Sequence, residues 1–127
     1  MAGKFVVITA KNGEFTFNLK ASNGEIILTA SETYPTMDAC ENGIESVKKN
    51  AAVNIEDQTR GESQKHPKYE LYKDKAGEFR FRLKAANGEI IGKSESYKAK
   101  ASAKKGIASI AKNAPDAPVV VIEPEAK

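Results

Sequence analysis

Three cations at alternating positions form the pattern in this chain that is best suited to binding a ligand. Arg80, Arg82 and Lys84 lie in a segment whose period of two predicts a β-strand, so their side chains would share one face of a sheet. Tyr72, in the strand-like segment before it, would lie beside them as a stacking surface. Single-stranded nucleic acid is bound by this combination of cations and aromatic rings. The row is therefore a candidate polyanion-binding site, and an ordinary solvated sheet face is the alternative.

Catalytic groups are scarce by comparison. The lone histidine, His66, precedes Pro67 in a polar segment and has no partner of the kind that a general base requires, so we expect a solvated side chain. The lone cysteine, Cys40, is expected to be a small buried side chain and not a reactive thiol. One histidine and one cysteine cannot assemble a metal-ligand set or a Ser-His-Asp arrangement.

Phosphate-binding loops and paired polar sites have equally little support. The glycines occur singly, and none belongs to a Gly-x-Gly-x-x-Gly or Gly-x-x-x-x-Gly-Lys pattern. Two glutamate–tyrosine pairs could form polar sites: Glu32 with Tyr34, and Glu95 with Tyr97. Their matched placement favours a structural role. We therefore expect a protein that is not an enzyme and has no catalytic residues, cofactor or metal.

The chain carries nearly the same sequence twice, which explains that matched placement. Residues 11–27 return as residues 75–91 at an offset of 64, and residues 43–47 return as residues 106–110 at an offset of 63. One residue near Leu28 is therefore extra in the first copy. Because an insertion inside a strand would turn every later side chain to the other face, we expect it in an irregular or strand-edge segment.

Each copy begins with three predicted strands. Apolar residues alternate with polar ones from Glu14 to Ala21 and again from Glu78 to Ala85, which is the pattern of half-buried strands. An apolar segment precedes each of them. An Asn-Gly pair follows at residues 23–24 and at residues 87–88, and Asn-Gly favours the type I′ turn of a β-hairpin. Each copy thus predicts a three-stranded antiparallel meander.

A helix follows the meander in each copy. Apolar residues recur there at helical spacing: Cys40, Ile44, Val47 and Ala51, then Ala103, Ile107, Ile110 and Ala114. Thr36 is a suitable N-cap for the first helix, whereas the second copy has Ala99 at that position. Gly43 and Gly106 lie in mid-helix, where glycine costs about 1 kcal/mol relative to alanine. We expect the helix backbone to approach a neighbouring element closely at both glycines; the alternative is an accident inherited by duplication.

Length and spacing predict two repeats in one domain. A copy of about 60 residues would bury only roughly 60% of its unfolded surface and be marginally stable alone, so we expect the copies to share a core. Strand-like segments after each helix, at residues 53–56 and 119–122, close the copies. The predicted organisation is a first repeat at 1–57, a linker at 58–67, a second repeat at 68–123 and a tail at 124–127.

Composition and charge indicate a globular protein with one basic half. Of the 127 residues, 40% are hydrophobic and 29% are charged. No apolar run approaches the length of a membrane span and the first residues lack a signal-peptide pattern, so we expect a cytoplasmic protein that does not enter a membrane. Residues 1–67 hold 7 Lys and Arg against 9 Asp and Glu, whereas residues 68–127 hold 13 against 8. The basic excess of the second copy is compatible with a polyanionic partner.

The doubled motif Gly-Glu-Phe-x-Phe-x-Leu-Lys-Ala-x-Asn-Gly-Glu-Ile-Ile, followed by Ser-Glu-x-Tyr and Gly-Ile-x-Ser, resembles the YegP-like family of small bacterial proteins of unknown function. The match covers residues 4–57 and 68–122. The resemblance implies an α+β fold in which tandem β3-α-β repeats form one antiparallel sheet packed by two helices, with the C-terminal strands exchanged between the repeats. It implies no activity and no catalytic residue.

The function expected from these observations is a non-enzymatic protein-binding or structural module. The partner would be an unknown protein, and the chain would be a monomer with internal pseudo-two-fold symmetry. Weak nucleic-acid binding through the basic row and Tyr72 is the alternative. The first copy has Thr16 and Asn18 in place of Arg80 and Arg82, which disfavours that alternative as a shared property of the repeat.

Overall fold

The computed structural model describes residues 3–122, which form two copies of the same element order. The first copy contains β1 (Lys4–Thr9), β2 (Phe15–Lys20), β3 (Ile26–Thr29), α1 (Met37–Asn50) and β4 (Ile55–Asp57). The second copy contains β5 (Lys68–Lys73), β6 (Phe79–Lys84), β7 (Ile90–Lys93), α2 (Lys100–Asn113) and β8 (Val119–Val121). A short 3₁₀ turn follows β4 and another follows α2. The tail at 124–127 lies outside the described residues.

All eight of these strands belong to one sheet, in the order β4-β5-β6-β7-β3-β2-β1-β8. Each copy supplies an antiparallel three-stranded meander, as predicted. The meanders meet at the centre of the sheet, where β3 and β7 run antiparallel with Thr29 opposite Lys93. At the two margins, β4 pairs with β5 and β8 pairs with β1, and both of these pairs are parallel. The order of elements is thus symmetric about the β3–β7 pair.

The expectation of a wholly antiparallel sheet is wrong, because the two outermost pairings make the sheet mixed. A short hairpin connects only antiparallel neighbours, whereas a strand that follows a helix can enter a sheet in either direction. Here α1 separates β3 from β4, and α2 separates β7 from β8. The alternation of apolar residues along a strand carries no information about that direction.

Both helices pack on the same side of the sheet and contribute to one hydrophobic core. The core joins buried side chains of both copies: Phe5, Phe17, Leu28, Ile44 and Val47 from the first, and Tyr69, Leu71, Phe81, Ile107 and Ile110 from the second. Edge-to-face contacts link the first two strands of each meander, Phe5 with Phe17 and Tyr69 with Phe81, at 5.9 Å between ring centroids. Buried side chains of both copies thus belong to one core.

The turns after β2 and β6 are not of type I′. Of the two turn residues, only the glycine has a positive φ, +88° at Gly24 and +86° at Gly88. Gly24 N–H donates to Ala21 O at 2.9 Å, and Asn23 Oδ1 accepts from Glu25 N–H at 3.0 Å. This is the three-residue hairpin in which a type I turn is followed by a left-handed glycine. The asparagine caps the turn with its side chain and keeps an ordinary φ.

The extra residue of the first copy lies in the loop after β3. Ala30 and Ser94, at an offset of 64, donate equivalent backbone hydrogen bonds of 2.9 Å to the second strands of their copies. Tyr34 and Tyr97, at an offset of 63, form equivalent isolated bridges. The insertion thus falls within residues 31–33, in an irregular segment as expected but beyond Leu28. Neither meander is shifted by it.

The helices begin and pack as the sequence predicts. Thr36 Oγ1 accepts from Ala39 N–H at 3.1 Å, whereas Ala99 supplies no side-chain cap. A Cβ placed on Gly43 would lie 2.5 Å from Tyr34 Oη, and one on Gly106 would lie 2.7 Å from the corresponding tyrosine oxygen. Both distances are too short for a real contact. The glycines therefore allow a tyrosine to lie directly against each helix backbone.

Candidate functional site

The basic row is assembled as predicted. Arg80, Arg82 and Lys84 lie on β6 with their side chains on the sheet face opposite the helices, since Phe81 and Leu83 between them are buried in the core. Tyr72 lies on the neighbouring strand β5, opposite Arg80 in the register. The guanidinium of Arg82 is 4.6 Å from the centroid of the Tyr72 ring. The structure thus brings all four candidate residues together.

Each cation of the row also has an acidic partner. Arg80 Nε lies 2.8 Å from Asp74 Oδ2, Arg82 Nε lies 2.5 Å from Glu70 Oε1, and Lys84 Nζ lies 3.2 Å from Glu70 Oε2. The sequence argument missed these partners, although Glu70 and Tyr72 are two residues apart on one strand and therefore share a face. Each positive charge faces a negative charge of the same chain.

Glu70 belongs to a larger ion cluster, which we define as Glu56, Lys68, Glu70, Arg82 and Lys84. Lys68 Nζ lies between the two carboxylates, 2.7 Å from Glu56 Oε1 and 3.2 Å from Glu70 Oε2. Glu56 Oε1 also accepts from Gln64 N–H at 2.8 Å. Glu56, Lys68 and Glu70 are only 5%, 8% and 4% exposed, although they lie on the outer face of the sheet. Neighbouring side chains and the linker cover them.

The carboxylates of the ion cluster are held in their charged form. Hydrogen bonds from Lys68, Gln58 and the Gln64 backbone lower the pKa of Glu56 to about 2. Burial by itself would raise the pKa of Glu70, but hydrogen bonds from Arg82, Lys84 and Lys68 outweigh it and hold that pKa below its ordinary value. Polyanion binding by the row stays a prediction. The internal neutralisation of its cations disfavours it.

The outer face of the first copy has a different composition at the same positions. Val6 replaces Glu70 and is 2% exposed, and Val120 on β8 takes the place that Glu56 has on β4. Ile8 replaces Tyr72, and Asn18 replaces Arg82. This half of the face is therefore aliphatic where the other half is ionic.

The two margins of the sheet differ as well. On β4, the linker covers the outward backbone groups of Asp57: Asp57 N–H donates to Glu62 Oε1 at 3.1 Å, and Asp57 O accepts from Glu62 N–H at 3.2 Å. On β8, Ile122 N–H donates to Val7 O and Pro118 O accepts from Phe5 N–H, each at 2.9 Å. Because strand residues alternate in direction, Val119 and Val121 point their N–H and C=O groups away from β1. No residue from 3 to 122 bonds to these outward groups.

The other candidate residues take structural positions. His66 is exposed and Cys40 is buried, as predicted, and burial raises the pKa of the Cys40 thiol. Tyr34 and Tyr97 stack on the aromatic rings of β2 and β6 with centroids 6.1 Å apart, and burial raises the pKa of both hydroxyls. In the described range, no three His, Cys, Asp or Glu side chains are grouped as a metal site would require. That range also holds no helix of the length and apolarity that crossing a membrane demands.

A second basic surface was not anticipated from the sequence. Residues 96–115 contain five lysines and no acidic residue, and most of them belong to α2. Four of these lysines are exposed: Lys98, Lys104, Lys105 and Lys112. The signal was visible as an acid-free segment with lysines on the polar side of the predicted helix, but only the row on β6 was taken as a binding site. The positive charge of the second copy is thus exposed on α2, more than on β6.

The fold defines a class: two-repeat α+β proteins built on one eight-stranded mixed sheet. Both repeats match a family model described as a domain of unknown function, DUF1508, at residues 10–57 and 74–120. The chain therefore belongs to the UPF0339 family, to which YegP also belongs. The resemblance read from the doubled motif is confirmed.

Relatives match this chain over nearly their whole length. It is 46% identical over 122 residues to a UPF0339 protein encoded in the ptx operon 5′ region of Stutzerimonas stutzeri, covering 96% of this chain and 98% of the relative. It is 46% identical over 111 residues to YegP of Yersinia pestis, covering 87% of this chain and 88% of the relative. The solution structure of E. coli YegP, a protein of unknown function, is similar to this chain, with a TM-score of 0.78 and 38% sequence identity. The similarity covers 95% of this chain and 93% of that one.

Proposed function

We propose that this protein is a non-enzymatic protein-binding module in which β8 accepts an extended segment of a partner protein as an added strand. The observation that carries the proposal is the margin of the sheet at β8, which no residue from 3 to 122 covers by hydrogen bonds. The N–H and C=O groups of Val119 and Val121 point outward there, and an extended segment satisfies such groups by main-chain hydrogen bonds.

The composition of β8 supports this role. Its three residues and Ile122 after it are uncharged and aliphatic, with exposures from 37% to 49%. Exposed edge strands are usually protected by charged residues, proline or a covering loop, because they otherwise pair with other chains. The opposite margin has such protection, since Glu56 and Asp57 are charged and Glu62 covers Asp57. Within residues 3–122, β8 has no charged residue and no covering loop of this kind, which supports a role in pairing.

The surroundings of β8 favour a basic segment as the occupant. A cleft of about 310 Å³ between α1 and β8 is lined by Glu41, Asn42, Ile44, Glu45 and Val119. A strand added to β8 would direct every second side chain toward this cleft, where two carboxylates attract cations. A second copy of the chain fits less well, because β8-to-β8 pairing would bring two acidic α1 faces together. The partner segment is therefore an extended one that alternates apolar and basic side chains.

Peptide selection with matched proline variants tests the proposal. A random displayed peptide library panned on the full chain should enrich alternating apolar and Lys or Arg residues. Val121→Pro removes an outward N–H and should abolish binding of the selected peptides, whereas Val121→Ala keeps that donor and should retain it. Both variants should melt like the parent, since the Val121 N–H does not bond to β1. Selected peptides that bind Val121→Pro as well as the parent would refute strand addition.

We also propose that the final strands are exchanged between the repeats and that this makes the chain fold as a single monomeric unit. Support comes from the parallel pairs β4–β5 and β8–β1, and from Lys100 Nζ of α2, which lies 3.0 Å from Asp57 Oδ2 at the end of β4. Residues 1–60 and 66–127, expressed separately, should not form stable monomers. Sharp, concentration-independent melting of both fragments as monomers would contradict the exchange.

A further inference from the structure

The exposed face of α2 is a basic surface without internal neutralisation. The helix contains four lysines and no acidic residue, whereas α1 contains three acidic residues and two lysines. Four lysines on or just before this helix are exposed: Lys98, Lys104, Lys105 and Lys112. No carboxylate among residues 3–122 lies within 4.0 Å of their ammonium groups. This contrasts with the row on β6, where every cation has an acidic partner.

The lysines of α2 are arranged along the helix. Lys105 and Lys112 are seven residues apart, which is close to two turns, so they share one face at a separation of about 10 Å. Lys104 is adjacent to this line on the helix, and the exposed Lys98 lies in the segment before the N-cap residue Ala99. A linear series of charges matches an extended polyanion better than a single small anion.

A cleft beside this line supplies neutral hydrogen-bond donors. It has a volume of about 340 Å³ and lies between α2 and the turn that follows β2. Lys105, Lys112 and Ser109 line it from the helix, and Ser22 and Asn23 line it from the turn. No acidic residue lines it. Because the turn belongs to the first repeat and the helix to the second, only the assembled tandem forms the cleft.

We propose that this α2 lysine surface, consisting of Lys98, Lys104, Lys105, Lys112 and the cleft beside them, binds the phosphate backbone of double-stranded nucleic acid without sequence preference. Lysines, hydroxyls and amides that contact phosphates position a protein on a duplex but do not read bases. Single strands are normally held by stacked aromatic rings, and α2 has none. Protein interfaces depend on aromatic or large apolar anchors, and no exposed large apolar residue lies on α2.

The first repeat contains a natural control for this surface. At the positions of Lys105 and Ala108, α1 has Asn42 and Glu45. Both α2 positions are exposed, so the substitutions Lys105→Asn and Ala108→Glu exchange one helix surface for the other with little expected effect on folding. The double variant removes one cation and adds one anion in the middle of the lysine line.

The test is a salt titration of binding to a short fluorescent DNA duplex of random sequence, measured by anisotropy with the full chain. Each phosphate contact contributes a slope of about −0.9 to log K against log salt, so three or four contacts predict a slope near −3 between about 50 and 200 mM salt. The Lys105→Asn/Ala108→Glu variant should bind more weakly, with a slope about 0.9 shallower or more. The control variant Arg80→Thr removes one exposed cation outside the ion cluster and should keep the parent slope.

Four outcomes would overturn the proposal: no duplex binding at low salt, an unchanged slope in the α2 variant, tighter binding of the matching single strand, or equal binding of poly-glutamate. The last would assign the surface to acidic proteins. If the double variant melts below the parent, Lys105→Gln/Lys112→Gln provides the same test, with an expected loss of slope of roughly 1.8 for two contacts. Binding of the peptides selected on β8 is independent of all these variants, so the two proposals fail separately.

Discussion

Equivalent strand positions hold a buried ion cluster in one half of the sheet and aliphatic side chains in the other. Glu56 and Glu70 lie opposite each other on β4 and β5, where β8 and β1 have Val120 and Val6. The inward residues of the two halves are nearly alike, as in Phe17 and Phe81. The repeated fold is therefore set by the inward residues, and the outer face was able to diverge in chemistry while its backbone was kept.

The largest expected difference between the halves concerns the loss of one member of the ion cluster. Glu70→Val leaves Lys68 buried with one carboxylate fewer and should lower the free energy of unfolding by about 3–5 kcal/mol. The triple variant Glu56→Val/Glu70→Val/Arg82→Asn reproduces the aliphatic half, in which Lys4 holds the position of Lys68 and is exposed. With both carboxylates gone, Lys68 should extend into solvent in the same way, and most of that loss should be recovered. Urea unfolding of both variants makes the comparison. A triple variant less stable than Glu70→Val would show that the two outer faces are not interchangeable.

Low pH should destabilise the same half of the sheet. The folded-state pKa values of Glu56 and Glu70 lie below their ordinary value of 4.5, so the ion cluster stabilises the fold fully above that pH. This contribution is lost as the pH falls from 4.5 toward 2, where Glu56 takes up its proton. Urea midpoints measured across this range should fall in the parent and fall less in the triple variant. Parallel curves for the two proteins would contradict the assignment.

Replacing the two mid-helix glycines by alanine should destabilise the protein to different extents, because the space for an added Cβ differs between them. Gly43→Ala places a Cβ 2.5 Å from Tyr34 Oη and 2.8 Å from its Cζ, whereas the next neighbours of Gly106 are at 3.2 Å and beyond. Overpacking typically costs about 1–3 kcal/mol, so Gly43→Ala should destabilise the protein more than Gly106→Ala. In a Tyr34→Leu background the sign should reverse, because alanine is the better helix former by about 1 kcal/mol. Thermal unfolding of this double-mutant cycle provides the measurement.

The helix starts should show the smallest difference. Thr36→Ala removes the side-chain cap of α1 and should cost about 1 kcal/mol, whereas Ala99→Ser can add the missing cap to α2 and stabilise it by a similar amount. Chemical denaturation of each variant and of the parent checks that Thr36→Ala lowers the free energy of unfolding and that Ala99→Ser raises it. A neutral Ala99→Ser would mean that the α2 start is already satisfied by another group.

Much of the fold was readable from the sequence because local patterns determine it. The period of two through Phe15, Phe17 and Leu19 locates a strand and its buried face, and the mid-helix Gly43 indicates a close contact. The direction of β4 and β8 relative to their neighbouring strands was not readable, since it depends on the point at which the chain leaves the preceding helix. The turn type was also misassigned, because Asn-Gly fits both the type I′ turn and the one observed.

The candidate site was predicted only in part, for a similar reason. Alternation alone places Arg80, Arg82 and Lys84 on one face, and their gathering with Tyr72 required only the antiparallel neighbour. Their neutralisation depends on the register that sets Glu70 opposite Arg82. The availability of β8 depends on the order of all eight strands and on which margin the linker covers. These are properties of the assembled sheet, and no window of sequence contains them.

The parallel pairs at the two margins have a consequence for protein engineering. Residues 58–67 connect β4 to its parallel neighbour β5, and β8 and β1 stand in the same relation at the other margin. A circular permutant that begins at Lys68, with a copy of the linker joining Ile122 to Gly3, would keep every strand neighbour. It would move the covering loop to β8 and leave β4 bare. The position of the chain termini therefore decides which margin of this nearly symmetric sheet is exposed.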